Sequence, residues 1–353
     1  MSEEGLLFNV IVSGIISILG TFGNASVMYV FIKIPSLRTV NNIFVMQLAA
    51  IDLLKSSVVI PIKVANHARK KSFMDPTVCP IVGMLRVICS CQSVLLLAAI
   101  ASVRFWKVVH PHRFHIVFSR KRTIVYSLSL ATGTMLLSLL PVFGIGEYAY
   151  SSSHGACFVN WSSKNIVFRS IYYSINVGIT LPILVYCYYR IYRLLRSHRS
   201  RATEIQDKSI VARDHILDLS RPSVGDLQIP AGRELLRTDA TKYSPIQTRH
   251  SPGLRERLNS SRSDKLKRGR SDFEVAVTKV MFIIVVVYVV CWTPALVTNI
   301  LNLSKVVKFP ADFLLLIVCL VDLKVVLNPL IYLLSHKRFR LRAIRAFEQL
   351  HKD

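Results

Sequence analysis

Seven stretches of this chain come close to or exceed the roughly 20 apolar residues that a helix needs to cross a bilayer. They cover approximately residues 6–32, 42–64, 78–109, 123–146, 166–194, 275–301 and 309–334. Inside lipid no water reaches the backbone amides, so each stretch must satisfy them within itself, and the pattern predicts helices. The chain has 353 residues and is 52% hydrophobic, more than expected of a soluble protein of this length. The expected fold class is all-α: a seven-transmembrane helix bundle.

The net charge of +25 raises the question of nucleic acid. Its placement argues against that partner, because the basic residues flank the apolar stretches. Lys33 and Arg38 follow the first; Lys107, Arg113, Arg120, Lys121 and Arg122 follow the third; the loop after the fifth is long and basic. Lys337, Arg338, Arg340, Arg342 and Arg345 follow the seventh. Alternate loops are therefore expected in the cytoplasm, with the N-terminus outside and the C-terminus inside. Arg69, Lys70 and Lys71, after the second stretch, weaken that rule locally without reversing it. The opening residues, with Glu3 and Glu4 and no basic region, do not read as a cleaved signal peptide, so the first span is expected to act as the signal.

The expected organisation is an extracellular N-terminus over 1–6, spans one to five over 7–196, a basic cytoplasmic loop over 197–270, spans six and seven over 271–334, and a tail over 335–353. Residues 197–270 lack apolar periodicity and are broken by Pro222, Pro245 and Pro252, so disorder is expected there. Within the tail, Phe339, Ile344 and Phe347 alternate with arginines at helical spacing. A short amphipathic helix on the membrane surface is expected, with its arginines on anionic lipid headgroups.

Arg104 stands at the inner end of the third span, in Ala101-Ser102-Val103-Arg104-Phe105-Trp106. A lone Arg at the end of a membrane-length helix is costly and marks function. The sixth span holds Cys291-Trp292-Thr293-Pro294 and the seventh Asn328-Pro329-Leu330-Ile331-Tyr332. Gly23-Asn24 marks the first span, and Leu48-Ala49-Ala50-Ile51-Asp52-Leu53 the second. Any one of these is weak alone. Together, in this order and spacing, they resemble the rhodopsin-like (class A) family of G-protein-coupled receptors, over almost the whole chain outside the long loop.

The resemblance implies a two-state switch of the helix bundle that admits a heterotrimeric G protein. It implies roles for Arg104 and Glu274 as a lock between the third and sixth helices, for Trp292 and Pro294 as sensor and kink, and for Asn328, Pro329 and Tyr332 in repacking. The chain departs from the family where Val103 replaces the acid before Arg104, which predicts raised basal activity. Tyr188 and Tyr189 precede the usual fifth-helix Tyr, whose spacing falls on Arg190. Asp52, Ser93 and Asn328 match a buried sodium site, with Asn24 in the same polar core. Lys324, one turn before Asn328, is expected to neutralise Asp52 in place of sodium. Of seven cysteines, Cys79 and Cys157 alone fall on the outer side, where a bridge can form, and the family's usual disulfide matches them. Asn160, in Asn160-Trp161-Ser162, is the favoured glycosylation site.

Opsins carry their retinal-binding Lys six residues before the seventh-helix Asn; that place holds Asp322, and Lys324 lies about 200° around the helix. The amine-binding acid of aminergic receptors is replaced by Arg86. A salt bridge between Arg86 and Asp322 across the pocket is expected, with Lys63 near its entrance and Trp292 at its base. An extracellular small anionic ligand is expected to follow, at the plasma membrane. No nucleophilic triad, metal spacing or phosphate loop is present, so neither enzyme activity nor a cofactor is expected. The alternatives are a non-signalling or constitutively active receptor partner acting in a dimer, or an opsin-like protein without the usual lysine.

Overall fold

The structure, a computed structural model, describes residues 3–69, 77–151, 156–160, 166–197, 211, 283, 286–298, 300–301 and 309–335. Two compact units divide the chain, Met1–Tyr192 with Ala276–Asp353, and Arg193–Val275. Apart from residues 197 and 211, the loop over 197–270 lies outside the described residues, as do Glu274 and the helix expected in the tail.

The first helix, α1 (Glu3–Lys33), opens on Glu3 and Glu4 and closes on Lys33, charges that suit the two ends of its dipole. Next come α2 (Val40–Leu54), a π-helical turn (Lys55–Val59) and α3 (Ile60–Ala68). The central helix is α4 (Val78–Val109). Pro111 starts α5 (Pro111–Val117), at the one position where its missing N–H costs nothing. Ser119 caps α6 (Arg120–Leu139), its hydroxyl accepting from the Arg122 amide. After α7 (Ile166–Tyr173) a second π turn (Ser174–Ile179) leads into α8 (180–197). The last two helices are α9 (Val286–Thr298) and α10 (Ala311–Ser335).

Among the described residues, five helical segments are long and apolar enough to cross a bilayer: Glu3–Lys33, Asn42–Ala68, Val78–Val109, Ile166–Ser197 and Asp312–Leu330. The described part of the sixth expected span, α9, is a shorter apolar helix. The fourth, α6, has 20 residues, about 30 Å of rise. Its inward face is polar: Ser127 donates to Gln47 Oε1 (2.5 Å), and Thr134 donates to Gln92 Oε1 (2.7 Å). The fourth span was expected to run to residue 146. The helix instead ends at Leu139, because Pro141 cannot extend it and Gly144 and Gly146 take positive φ of 88° and 107°.

On α1, Leu7, Ile11, Ile15, Ile18 and Phe22 recur every three or four residues and are all more than half exposed. That stripe suits lipid, while Asn9, Ser13, Gly20 and Asn24 on the other face are buried. This face packs on α10, α2 and α3. Gly20 makes the approach possible: a Cβ there would lie 2.8 Å from Val325 Cγ1 and 3.0 Å from Ser56 Cβ. Asn24 Nδ2 then reaches the Val325 carbonyl at 3.0 Å and ties α1 to α10. The core runs along α4, which packs on α2 and α6.

Candidate functional site

Three helices meet at Asp52, which is fully buried. Asn328 Nδ2 donates to its Oδ2 (2.6 Å) and Ser93 Oγ to its Oδ1 (3.1 Å). The three residues expected to form one polar core, from α2, α4 and α10, do come together. Lys324 departs from expectation. Its ammonium has no hydrogen-bond partner and lies 5.8 Å from the centre of the Trp292 ring rather than on Asp52. Asp52 is instead held by two neutral donors, and the Lys324 cation rests against an indole face.

A second buried carboxylate lies further out. Lys55 Nζ is 2.8 Å from Asp322 Oδ1, and Lys63 Nζ is 2.7 Å from Oδ2. Arg86 was expected to hold Asp322; two lysines of the second span hold it instead. The π turn is the reason. Residues eight apart on a regular helix differ in direction by about 80°. One inserted residue lets eight behave like seven, which brings the difference to about 20°. Lys55 and Lys63 therefore share a face and close on the carboxylate from either side along the helix. Lys63 is 1% exposed, so it lies within the bundle and not at an entrance.

Arg86 points elsewhere. Its guanidinium is 5.2 Å from the centre of the Phe158 ring. It lines a cavity of about 90 Å³ together with Lys55, Asp322 and Trp292. The remaining wall is largely apolar and aromatic, including Tyr172, Leu314, Ile317 and Val318. Trp292 is tilted against Tyr288 and Tyr172, with ring centres 6.1 and 6.4 Å away, and its Nε1–H has no acceptor. Pro294 sits two residues on, and the Thr298 hydroxyl donates to its carbonyl at 2.8 Å.

The outer side of this region is covered by a hairpin. Strands β1 (Tyr148–Ser151) and β2 (Ala156–Val159) pair antiparallel, with Tyr150 opposite Cys157. The Cys79–Cys157 disulfide joins β2 to the start of α4, with the Cα atoms 5.3 Å apart. Tyr148 lies over Gly83, where a Cβ would meet its ring at 2.5 Å, and its hydroxyl donates to the Ser138 carbonyl (2.7 Å). Burial pushes that hydroxyl's pKa above the usual phenol range. Asn160 follows β2, and its side chain donates to Glu147 Oε2 (3.3 Å).

At the inner end, Arg104 is 9% exposed beside the buried Val103. Glu274 lies outside the described residues, as does the side chain of Tyr332, which falls in α10 with Pro329. Of the two fifth-helix tyrosines, Tyr188 is buried and Tyr189 is exposed. Arg190 lies 5.9 Å from the ring centre of Tyr186. Arg113, Arg120, Lys121 and Arg122 are all exposed near α5 and the start of α6.

Sequence reasoning missed Lys55. Its signal was a Lys inside an apolar run, three residues after Asp52, which marks function as Arg104 does. Also missed was a buried polar cluster linking α1, α3 and α10. There Asn9 Nδ2 donates to the Leu315 carbonyl (3.3 Å) and approaches Cys319 Sγ (3.0 Å), and His67 Nδ1 lies 2.9 Å from Asn9 Oδ1.

Residues 23–332 match the family model described as 7 transmembrane receptor (rhodopsin family). Melanopsin of Branchiostoma belcheri is 23% identical over 326 residues, covering 91% of this chain and 39% of that protein. Visual pigment-like receptor peropsin of Mus musculus is 29% identical over 193 residues, 53% of this chain and 55% of that protein. Among solved structures, squid rhodopsin aligns over 99% of this chain and 87% of its own, with a TM-score of 0.73 and 20% identity.

Proposed function

The chain belongs to the rhodopsin family of seven-transmembrane receptors, and from that premise we propose that it lies in the plasma membrane, N-terminus outside, and activates a heterotrimeric G protein when a small anionic ligand enters from the extracellular side. It is a multi-pass membrane protein of a non-enzymatic signalling class. The observation that carries the ligand reading is the cavity wall, where Arg86 and Lys55 stand beside a carboxylate whose two oxygens are already taken by lysines. An anion is the ligand charge that such a wall stabilises.

Ligand contact at Trp292 would repack α9 about Pro294. The node of Asp52, Ser93 and Asn328 would pass that repacking along α2, α4 and α10. Inner-end opening would part Arg104 from Glu274 and expose a surface for the G protein. Arg113, Arg120, Lys121 and Arg122 suit an acidic protein face or anionic headgroups. The expected lock is short of one acid, because Val103 stands where the family has one, so basal activity is raised. Asn160 is the proposed glycosylation site. In a cell assay of G-protein activation, Arg86→Ala is expected to abolish the response to an anionic agonist. A response that survives, with only the basal signal altered, would reduce Arg86 to a closure of the pocket.

The relatives favour a second reading, because peropsin of Mus musculus is named a visual pigment-like receptor. The opsin resemblance puts a lysine where Asp322 stands, and here Lys55 faces that carboxylate at 2.8 Å. A retinal aldehyde condensed with Lys55 Nζ would have Asp322 as counterion. Against it, the cavity of about 90 Å³ is below the 150 Å³ or so that accommodates one benzene. Adding retinal to purified protein decides: a visible absorption band that Lys55→Met removes supports this reading, and an unchanged spectrum sinks it.

A further inference from the structure

The cavity wall carries more positive charge than its one carboxylate can neutralise. Lys55 and Lys63 against Asp322 leave one uncompensated positive charge, and Arg86 adds a second. Behind Trp292, Lys324 and Asp52 cancel in charge without touching. Among the described residues no carboxylate lies within ion-pair distance of Arg86, and its guanidinium rests against the face of Phe158. Trp292, 3% exposed, carries an indole N–H with no acceptor in the same wall. Buried donors and cations left in this state are costly, and an incoming acceptor relieves them. A cationic ligand would meet Arg86 and the excess lysine charge, and the one carboxylate present is already held on both oxygens.

Size and polarity restrict the ligand further. A cavity of about 90 Å³ is smaller than the 150 Å³ or so that holds a benzene, so a ligand of few heavy atoms fits without large repacking. Leu314, Ile317 and Val318 offer it an apolar wall, and Tyr172 and Trp292 an aromatic one.

We propose that this cavity binds a short-chain monocarboxylate, with its carboxylate on Arg86 and its apolar body between Trp292 and the α10 wall. The proposal rests on the anionic-ligand reading above and adds what that reading leaves open: one carboxylate, an apolar body and a narrow size limit. A planar guanidinium suits a carboxylate because it can give two parallel hydrogen bonds. Seating that carboxylate draws Arg86 from the ring of Phe158, which belongs to the disulfide-anchored hairpin. Binding would thereby couple the outer cover to the Trp292 wall.

The test is direct binding of radiolabelled acetate, propionate and butyrate to the purified full chain in lipid nanodiscs. Unlabelled butyramide, butylamine and dodecanoate serve as competitors. The expected result is saturable binding of the three acids, with butyramide and butylamine at least about tenfold weaker as competitors than butyrate. Arg86→Gln should lower acid affinity by about tenfold or more, and Arg86→Lys should restore part of it. Butyramide competing as well as butyrate, preference for butylamine, tighter binding of dodecanoate than of butyrate, or no saturable binding of any short acid would each overturn the proposal. G-protein activation is read separately. Acids that bind in an Arg86-dependent way without changing it would uphold the site and overturn the agonist reading. Activation by a larger or multiply charged anion, with no binding of the short acids, would overturn the monocarboxylate and keep the receptor.

Discussion

Asp322→Asn is expected to destabilise the purified protein by ~3–5 kcal/mol, the usual cost of removing one partner from a buried ion pair. The residue is 3% exposed and is the shared anion of Lys55 and Lys63, at 2.8 and 2.7 Å. Without it two ammonium groups remain inside the bundle with no counter-charge, and at least one must lose its proton or drag in water. The asparagine keeps the volume, so the loss reports charge and not packing. A thermal melt in detergent should show a clearly lower midpoint for Asp322→Asn. Combining it with Lys55→Met and Lys63→Met should recover much of that loss, because replacing all the charges with apolar side chains removes the desolvation cost. An unchanged midpoint in the single variant would mean that the three groups are not an ionic unit.

The second large effect is expected at the disulfide. Cys157→Ser frees the hairpin from α4 and opens a covalent link between residues 78 apart in sequence. Loss of a native bridge typically costs ~2–5 kcal/mol, although the split between entropy and enthalpy is model-dependent. Here Cys79, Val82 and Cys157 form one small buried cluster, with Ile62 and Tyr150 packed against it, so the packing around the bridge should loosen too. The structure also places Phe158, the next residue, against Arg86. Cys157→Ser should therefore weaken agonist response as well as surface expression. Normalising signal to surface-labelled receptor separates the two. A full response per receptor would show that the hairpin covers the cavity without positioning Arg86.

Much of this architecture is legible from sequence because lipid imposes so strong a rule. Apolar length placed five of the spans found among the described residues, and cysteine position together with the family resemblance placed the bridge. Asp52, Ser93 and Asn328 came together because regular helices preserve the spacing of those residues. The misassignments arise where helical phase changes. Five residues of π-helix, Lys55–Val59, rotate the outer half of the second span and bring Lys55 and Lys63 onto one carboxylate. No spacing count on a regular helix anticipates that, so Arg86 was paired with Asp322 in their place. Lys324 has a different reason. Its four-carbon stem can send the ammonium either to Asp52 or to Trp292, and backbone position does not choose between them. The fourth span was drawn too long because Val142, Phe143 and Ile145 are apolar, although Pro141, Gly144 and Gly146 turn the chain there.

The most direct test of the receptor account is basal G-protein activation in cells, comparing the chain with Arg104→Ala and Glu274→Ala at matched surface expression. Arg104 is buried at the inner end of α4 with Val103, not an acid, beside it. The account predicts a measurable basal signal, lost with Arg104→Ala and raised above the parent with Glu274→Ala. All three proteins at the surface with no signal would contradict the raised basal activity and leave two readings, a receptor silent until its ligand binds or a non-signalling seven-helix partner.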